Sequence, residues 1–142
     1  MDLTDALTFI RGRSQGVLTT IRANGRPQLS NILFVRGDED MLRISVTDDR
    51  AKTRNLRRDP RASLYVPGDN FYQYVVVEGQ ADLTPVAADP HDATVDALVA
   101  YYKAAIGEHP DWEEYRASMV TDKRLLVVLR PERAYGMVPP PG

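Results

Sequence analysis

Six basic side chains crowd into the stretch from Arg50 to Arg61: Arg50, Lys52, Arg54, Arg57, Arg58 and Arg61, opposed by the single acid Asp59. The stretch is net +5 in a chain whose formal net charge is −2, so the remaining residues carry −7 and the positive charge is local. The chemistry open to such a cluster is anion binding, because guanidinium and ammonium groups make charge-assisted hydrogen bonds to phosphate and carboxylate oxygens. An apolar run ends before Arg50 and Pro60 closes the segment, which predicts a short helix between two strands. The first turn of that helix offers free backbone N–H groups to an anion. Arg50 and Lys52 stand at this end, where the helix dipole mildly disfavours cations, and so suggest a negative partner between them. The same run also fits a solvated basic face.

Other chemistries find little support. The chain has no cysteine, which removes disulfides, thiolate metal sites and cysteine nucleophiles. His91 and His109 lie far apart in polar, proline-flanked connections and are expected to be exposed, not metal-binding. No apolar run approaches the length of a membrane span, and the N-terminus, MDLTDALTF, opens on acids and not on a basic leader. A protein of the cytoplasm with no membrane association is expected. Mild overall acidity argues against nucleic acid as a partner, and the arginine segment lacks interleaved aromatics.

The elements that must position the basic stretch can be read in order. The 142 residues, 43% hydrophobic, fit one domain, with a lead-in helix over 1–14 and an extended tail over 137–142 that includes Pro139–Pro141. Leu3, Ala6, Leu7 and Ile10 recur at helical spacing, with Asp2 or Thr4 as cap. Strands are predicted over 16–22 and 27–35 around an Asn24-Gly25 hairpin turn, then over 41–46, completing a three-strand meander. After the basic helix come strands over 61–66 and 72–83, the second with Gly79 as a bulge or bend. Helices follow over 92–106 and 112–120, the latter capped by Asp111. The last strand spans 125–129 and can continue through 133–136. Strands joined mostly by tight turns indicate a mainly β fold, an antiparallel sheet of six strands closed into a small β-barrel with flanking helices. No G-x-G-x-x-G follows a strand, which removes the usual nicotinamide site.

Gly16-Val-Leu-Thr-Thr-Ile21, Asn24-Gly-Arg-Pro-Gln-Leu-Ser-Asn31, Arg50-Ala-Lys-Thr-Arg-Asn-Leu56, Arg58-Asp-Pro-Arg61 and Glu78-Gly79 together resemble the pyridoxamine 5′-phosphate oxidase-like split β-barrel superfamily. Within it the likeness is to the actinobacterial branch of oxidoreductases that use coenzyme F420, a deazaflavin. The resemblance covers Gly16 to Tyr135 and implies a homodimeric FMN-binding split barrel with two cofactor sites between subunits. By motif position it implies that Arg50 and Lys52 bind the cofactor phosphate with help from Ser45. Pro27, Gln28, Leu29, Ser30 and Asn31 would line the tricyclic ring, and Arg26 would reach an acidic tail. Tyr72 and Tyr74 would contact the cofactor from the partner subunit.

The residues themselves leave alternatives beside these roles. Gln28 and Ser30 alternate with Leu29 as in any half-buried strand. Tyr72 and Tyr74, on one face of the fifth strand, also suit core or dimer packing; Tyr65, Tyr101, Tyr102 and Trp112 are assigned to packing. Coenzyme F420 carries several negative charges beyond one phosphate, which gives Arg54, Arg57, Arg58 and Arg26 a use; paired to acids or facing solvent, they have none. With no metal set and no nucleophile–base pair, a bound redox cofactor would carry the chemistry, passing hydride to a small-molecule substrate. No proton donor is identified; Tyr72, Tyr74 and Ser30 qualify only by reach. FMN is the alternative cofactor. Leu129–Gly136 lacks the tryptophan-and-arginine signature of true pyridoxamine 5′-phosphate oxidases, which speaks against vitamin B6 oxidation. A non-catalytic binder of F420 or flavin needs the same phosphate site.

Overall fold

In the computed structural model, which describes residues 1–138, aspartates open three α-helices. Asp2 accepts from the Thr4 N–H (3.0 Å) at α1 (Leu3–Ile10). Asp92 accepts from Val95 (2.8 Å) at the later helix Ala93–Ala105, and Asp111 from Glu114 (3.1 Å) at Trp112–Thr121. Each cap satisfies an N–H the helix itself cannot. The basic helix α2 (Ala51–Arg58) differs: it opens at Arg50 with no side-chain cap. The two later helices are α3 and α4.

Seven strands form one antiparallel sheet: β1 (Gln15–Ile21), β2 (Pro27–Leu33), β3 (Val35–Arg36), β4 (Leu42–Thr47), β5 (Arg61–Pro67), β6 (Tyr74–Leu83) and β7 (Arg124–Met137). Their order is β2-β1-β5-β6-β7-β4-β3. Asn24-Gly25 makes the expected β1–β2 turn, with Gly25 at φ +86°. The count is seven and not six because the run over 27–35 breaks at Phe34. That side chain is 1% exposed, and its N–H leaves the ladder to donate to the Ser14 carbonyl (2.8 Å). The expected meander is therefore two separate hairpins, β1–β2 and β3–β4, whose outer members lie at opposite ends of the strand order.

That break also closes the sheet. The two edge strands are separated in sequence by Phe34 alone, and adjacent Cα atoms lie only ~3.8 Å apart. The edges must meet, and the sheet curls into a split barrel. Leu18, Phe34, Leu42, Ile44, Leu64, Val77, Leu125 and Val127 fill its interior. α3 and α4 cover the outside of β7, packing Val95, Leu98, Tyr115 and Met119 on Leu126.

β7 is longer than the sequence suggests and runs through Pro131 to Met137, so the expected tail begins inside a strand; Pro139–Pro141 lie outside the described residues. A register shift at Glu78/Gly79 absorbs the proline. Gly79 is required there, since a Cβ would stand 1.9 Å from the Arg130 carbonyl oxygen. β6 starts at Tyr74, which leaves Tyr72 in the preceding turn and not on the strand.

Candidate functional site

Side-chain hydrogen bonds along its whole length hold α2 against the barrel. Thr53 Oγ1 donates to the Thr47 carbonyl (2.7 Å), and Asn55 Nδ2 donates to Thr20 Oγ1 on β1 (3.1 Å). Arg58 donates to the Ile21 carbonyl (2.8 Å) and to Asn55 Oδ1 (3.1 Å). Thr53 thereby fixes the uncapped first turn beside β4, bordering a cavity of about 440 Å³, while Asn55 and Arg58 anchor the rest of the helix. Asn31, Ile32 and Leu33 of β2 form one wall, and Tyr101, Tyr102, Ile106, Tyr115 and Met119 of the α3–α4 pair form the other. Ser45, Lys52 and Arg124 supply the polar end, with Asp122 on the rim. The volume suits part of a cofactor or a small ligand.

The polar end is strongly cationic. Arg124 Nη1 donates to Ser45 Oγ (3.2 Å). Burial depresses the Lys52 ammonium below the usual lysine range, and the charges of Arg50 and Arg124 push the same way. Each of these cations is thus in the field of another, an arrangement that a bound anion would relieve. Asp49 is held below the usual carboxylate range chiefly by the Thr47 hydroxyl (2.8 Å), with smaller help from Arg50 and Arg54. In the aromatic wall, Tyr101 donates to the Leu33 carbonyl (2.9 Å) and burial raises its pKa. Burial pushes Tyr115 up to about 12, and its hydroxyl donates to the Leu98 carbonyl (2.9 Å).

Of the residues expected at a cofactor site, Asn31, Ser45 and Lys52 meet in this cavity, with Arg50 close enough to act on Lys52. Pro27, Gln28, Leu29 and Ser30 do not line it, nor does Arg26 in the β1–β2 turn. They lie farther along β2 toward the Asn24-Gly25 turn, with Gln28 and Ser30 half-buried and Pro27 and Leu29 exposed, so only Asn31 of the five reaches this cavity. Tyr74 stacks on Tyr65 on the outer sheet face (centroids 5.5 Å apart), and Tyr72 is exposed in its turn against Phe71. The surplus arginines divide too. Arg57 pairs with Asp48 (2.6 Å) and Arg61 with Asp59 (2.8 Å), and Arg58 serves the α2 anchor; among the described residues Arg26, Arg50 and Arg54 have no acid within ion-pair distance.

Sequence reading missed Arg124 and the lining tyrosines. Arg124 is a lone cation at a strand start, and only its pairing opposite Thr47 brings it beside Ser45. Tyr101 and Tyr102 read as helix packing. His109, expected to be exposed, packs instead among Tyr102, Trp112 and Tyr115 with ring centroids 5.3–5.7 Å apart. A wider hollow of about 720 Å³ at the end of α1 is lined by Arg11 and by two arginines that are already engaged: Arg36 with Asp40 and the Leu7 carbonyl, Arg13 with Asp69.

Residues 4–137 match the family model described as pyridoxamine 5′-phosphate oxidase. The chain belongs to the pyridoxamine 5′-phosphate oxidase family. Among solved structures of this fold it is similar to an F420 reductase, with 27% identity over 90% of this chain and 94% of the other (TM-score 0.68). A pyridoxamine 5′-phosphate oxidase-related, FMN-binding protein from Nostoc punctiforme PCC 73102 is 18% identical over 93% of this chain and 80% of its own (TM-score 0.60). The heme storage protein HutZ from Vibrio cholerae is 19% identical over 94% and 92% (TM-score 0.68). At these two identities the likeness shows the fold alone. The pyridoxamine 5′-phosphate oxidase fold thus accommodates oxidoreductases and binding proteins alike, and function has to be argued from the cavity. Among the described residues no helix is long and apolar enough to cross a membrane, and no group of His, Asp and Glu could hold a metal ion.

Proposed function

We propose that the protein is a coenzyme F420-dependent reductase of the cytoplasm that reduces a small organic acceptor. The observation that carries this reading is the cation group of Lys52, Arg124 and Arg50 around Ser45, next to an uncapped helix start and under an aromatic wall. The donor set fits a phosphorylated cofactor: Lys52, Arg124 and the first-turn N–H groups of α2 would hold the phosphate, Ser45 would donate a hydroxyl, and Asn31 would bond to the ring. Arg26 and Arg54, without acid partners among the described residues, favour the more highly charged F420 over FMN. The similarity to an F420 reductase points the same way.

Held by Lys52, Arg124 and the α2 start, a reduced deazaflavin would supply the hydride for an activated double bond, with the balancing proton coming from solvent. The chain's own residues orient and shield. The tyrosine wall excludes water, and the cations stay matched to the anionic end while the acceptor gains charge. Tyr101 spends its proton on the Leu33 carbonyl, so its hydroxyl serves as a strut and not as a proton donor.

A second copy of the chain completes the site in this reading. The outer sheet face carries exposed Leu29, Tyr65, Tyr135 and Met137, an apolar surface suited to a homodimer interface. Across it, the partner's Tyr72 and Tyr74 would approach the cofactor, and the outward Pro27 and Leu29, with Gln28, Ser30 and Arg26 behind them, would border the ring.

Titration with F420, FMN and haem, followed by cofactor fluorescence or absorbance, tests the assignment. F420 should bind at least tenfold more tightly than FMN, and the protein should oxidise reduced F420 when an acceptor is added. Tighter FMN binding, or yellow protein from purification, would transfer the site to the flavin. Binding of F420 without turnover on any acceptor would make the protein a carrier.

A further inference from the structure

Three arginines, Arg11, Arg13 and Arg36, line the hollow at the end of α1 against the single acid Asp40. It lies between α1, the β3–β4 hairpin and the last turn of α3, and shares no lining residue with the cofactor cavity. A helix C-terminus ordinarily repels anions through its free carbonyls. Here they are taken. Thr8 and Ile10 accept from the Arg11 and Arg13 N–H groups (3.2 and 3.0 Å), Phe9 from Arg13 Nε (3.1 Å) and Leu7 from Arg36 Nη1 (3.3 Å). The helix end therefore offers the hollow cations in place of bare oxygens.

These cations are unequally matched. Arg13 is fixed by Asp69 (3.0 Å) and lies over the Phe9 ring (4.5 Å). Arg11 is exposed, with no acid within ion-pair distance among the described residues. Arg43, equally without one, lays its guanidinium across Gly37 in the space a Cβ would occupy. Arg36 donates through both Nε and Nη2 to one oxygen of Asp40, Oδ1, so its fork is not matched to two oxygens. Asp40 reaches it from an unusual turn. Glu39 and Asp40 stand at φ +57° and +63°, backbone that L side chains rarely adopt, and the Asp40 side chain is 48% exposed.

We propose that this hollow is a second ligand site, for a small phosphorylated molecule, and that Asp40 holds the place of the phosphate on Arg36. Three positive charges against one leave a surplus in the lining that a phosphate monoester, at about −2, matches. Arg11, Arg36 and Arg43 come from three segments of chain, which suits the several oxygens of a tetrahedral anion better than the two of a planar carboxylate. Val35, Ala104 and Ala105 give the rest of the molecule an apolar wall.

Isothermal titration with phenyl phosphate tests the site, with benzenesulfonate as the same ring carrying a single charge. Lys52→Met silences the cofactor cavity, and the binding that survives it is the signal. Adding Asp40→Asn should tighten that binding threefold or more, because asparagine tolerates the left-handed backbone while removing the competing charge. Adding Arg11→Gln should weaken it fivefold or more, and benzenesulfonate should bind at least tenfold more weakly than the phosphate. No binding left in Lys52→Met, an affinity unmoved by Arg11→Gln or one lowered by Asp40→Asn would overturn the inference. Equal binding of benzenesulfonate would do the same, as an adventitious ion only. F420 affinity should be unchanged in Arg11→Gln alone; a matching loss would make the hollow the seat of the cofactor's acidic tail and not a second site.

Discussion

At Lys52, binding and stability pull in opposite directions. Burial and two neighbouring cations disfavour its charged form in the folded chain, so its pKa lies below the usual lysine value of 10.5. Between the lowered folded value and 10.5 the unfolded chain holds the extra proton, so this group makes stability rise with pH in that window. Lys52→Met, which keeps the apolar stem, should therefore leave the melting temperature of the ligand-free protein at neutral pH equal or higher, by calorimetry. The same change should weaken F420 binding by about 1.5–3 kcal/mol, as expected for a lost hydrogen bond to a charged group. Unaltered F420 affinity would remove Lys52 from the site. Tyr115 carries the reverse sign. Its folded pKa of about 12 against 10.0 means that its contribution is intact below pH 10 and is lost as pH climbs toward 12. A tyrosinate absorbance titration should show a late-ionising group that Tyr115→Phe removes, along with about 1 kcal/mol of stability from the Leu98 hydrogen bond.

Among the elements, α2 depends on one amide. Asn55 is 7% exposed and links Thr20 on β1 to Arg58. Asn55→Ala strands the Thr20 hydroxyl and should cost about 1–3 kcal/mol in urea denaturation. Because this amide anchors the helix whose uncapped first turn borders the cavity, F420 affinity should fall with it. Much at this scale was legible in the sequence. Asp92 and Asp111 announce their helices, Asn24-Gly25 its hairpin, and Gly79 its bulge, because each works through neighbours a few residues away. The β2–β3 break was not legible: Ile32-Leu33-Phe34-Val35 is uniformly apolar, so no alternation marks where the strand changes partners. Nor was the division of labour among the arginines. Arg57 and Arg58 follow Arg54 in the same helix, yet Asp48 and the Ile21 carbonyl, contacts that only the fold creates, decide which remain for a ligand. The place of Lys52 at the helix start was legible, whereas that of Arg124 needed the β4–β7 register.

For the whole molecule, the outer sheet face sets the expectation. A homodimer should elute in light-scattering chromatography at twice the chain mass of 15.9 kDa. Tyr65→Asp, at the centre of the stacked pair on that face, should shift it to monomer and abolish F420 binding together; a monomeric native protein would remove the shared site. The hinge at Phe34 has a different consequence. It sews the two outermost strands into one continuous stitch, so their unpaired margins begin side by side. Phe34→Ala, which empties the buried seat of that stitch, would loosen both raw margins at once. The variant should then polymerise edge to edge, with fibril-type dye binding that rises with concentration, while the native protein stays clear.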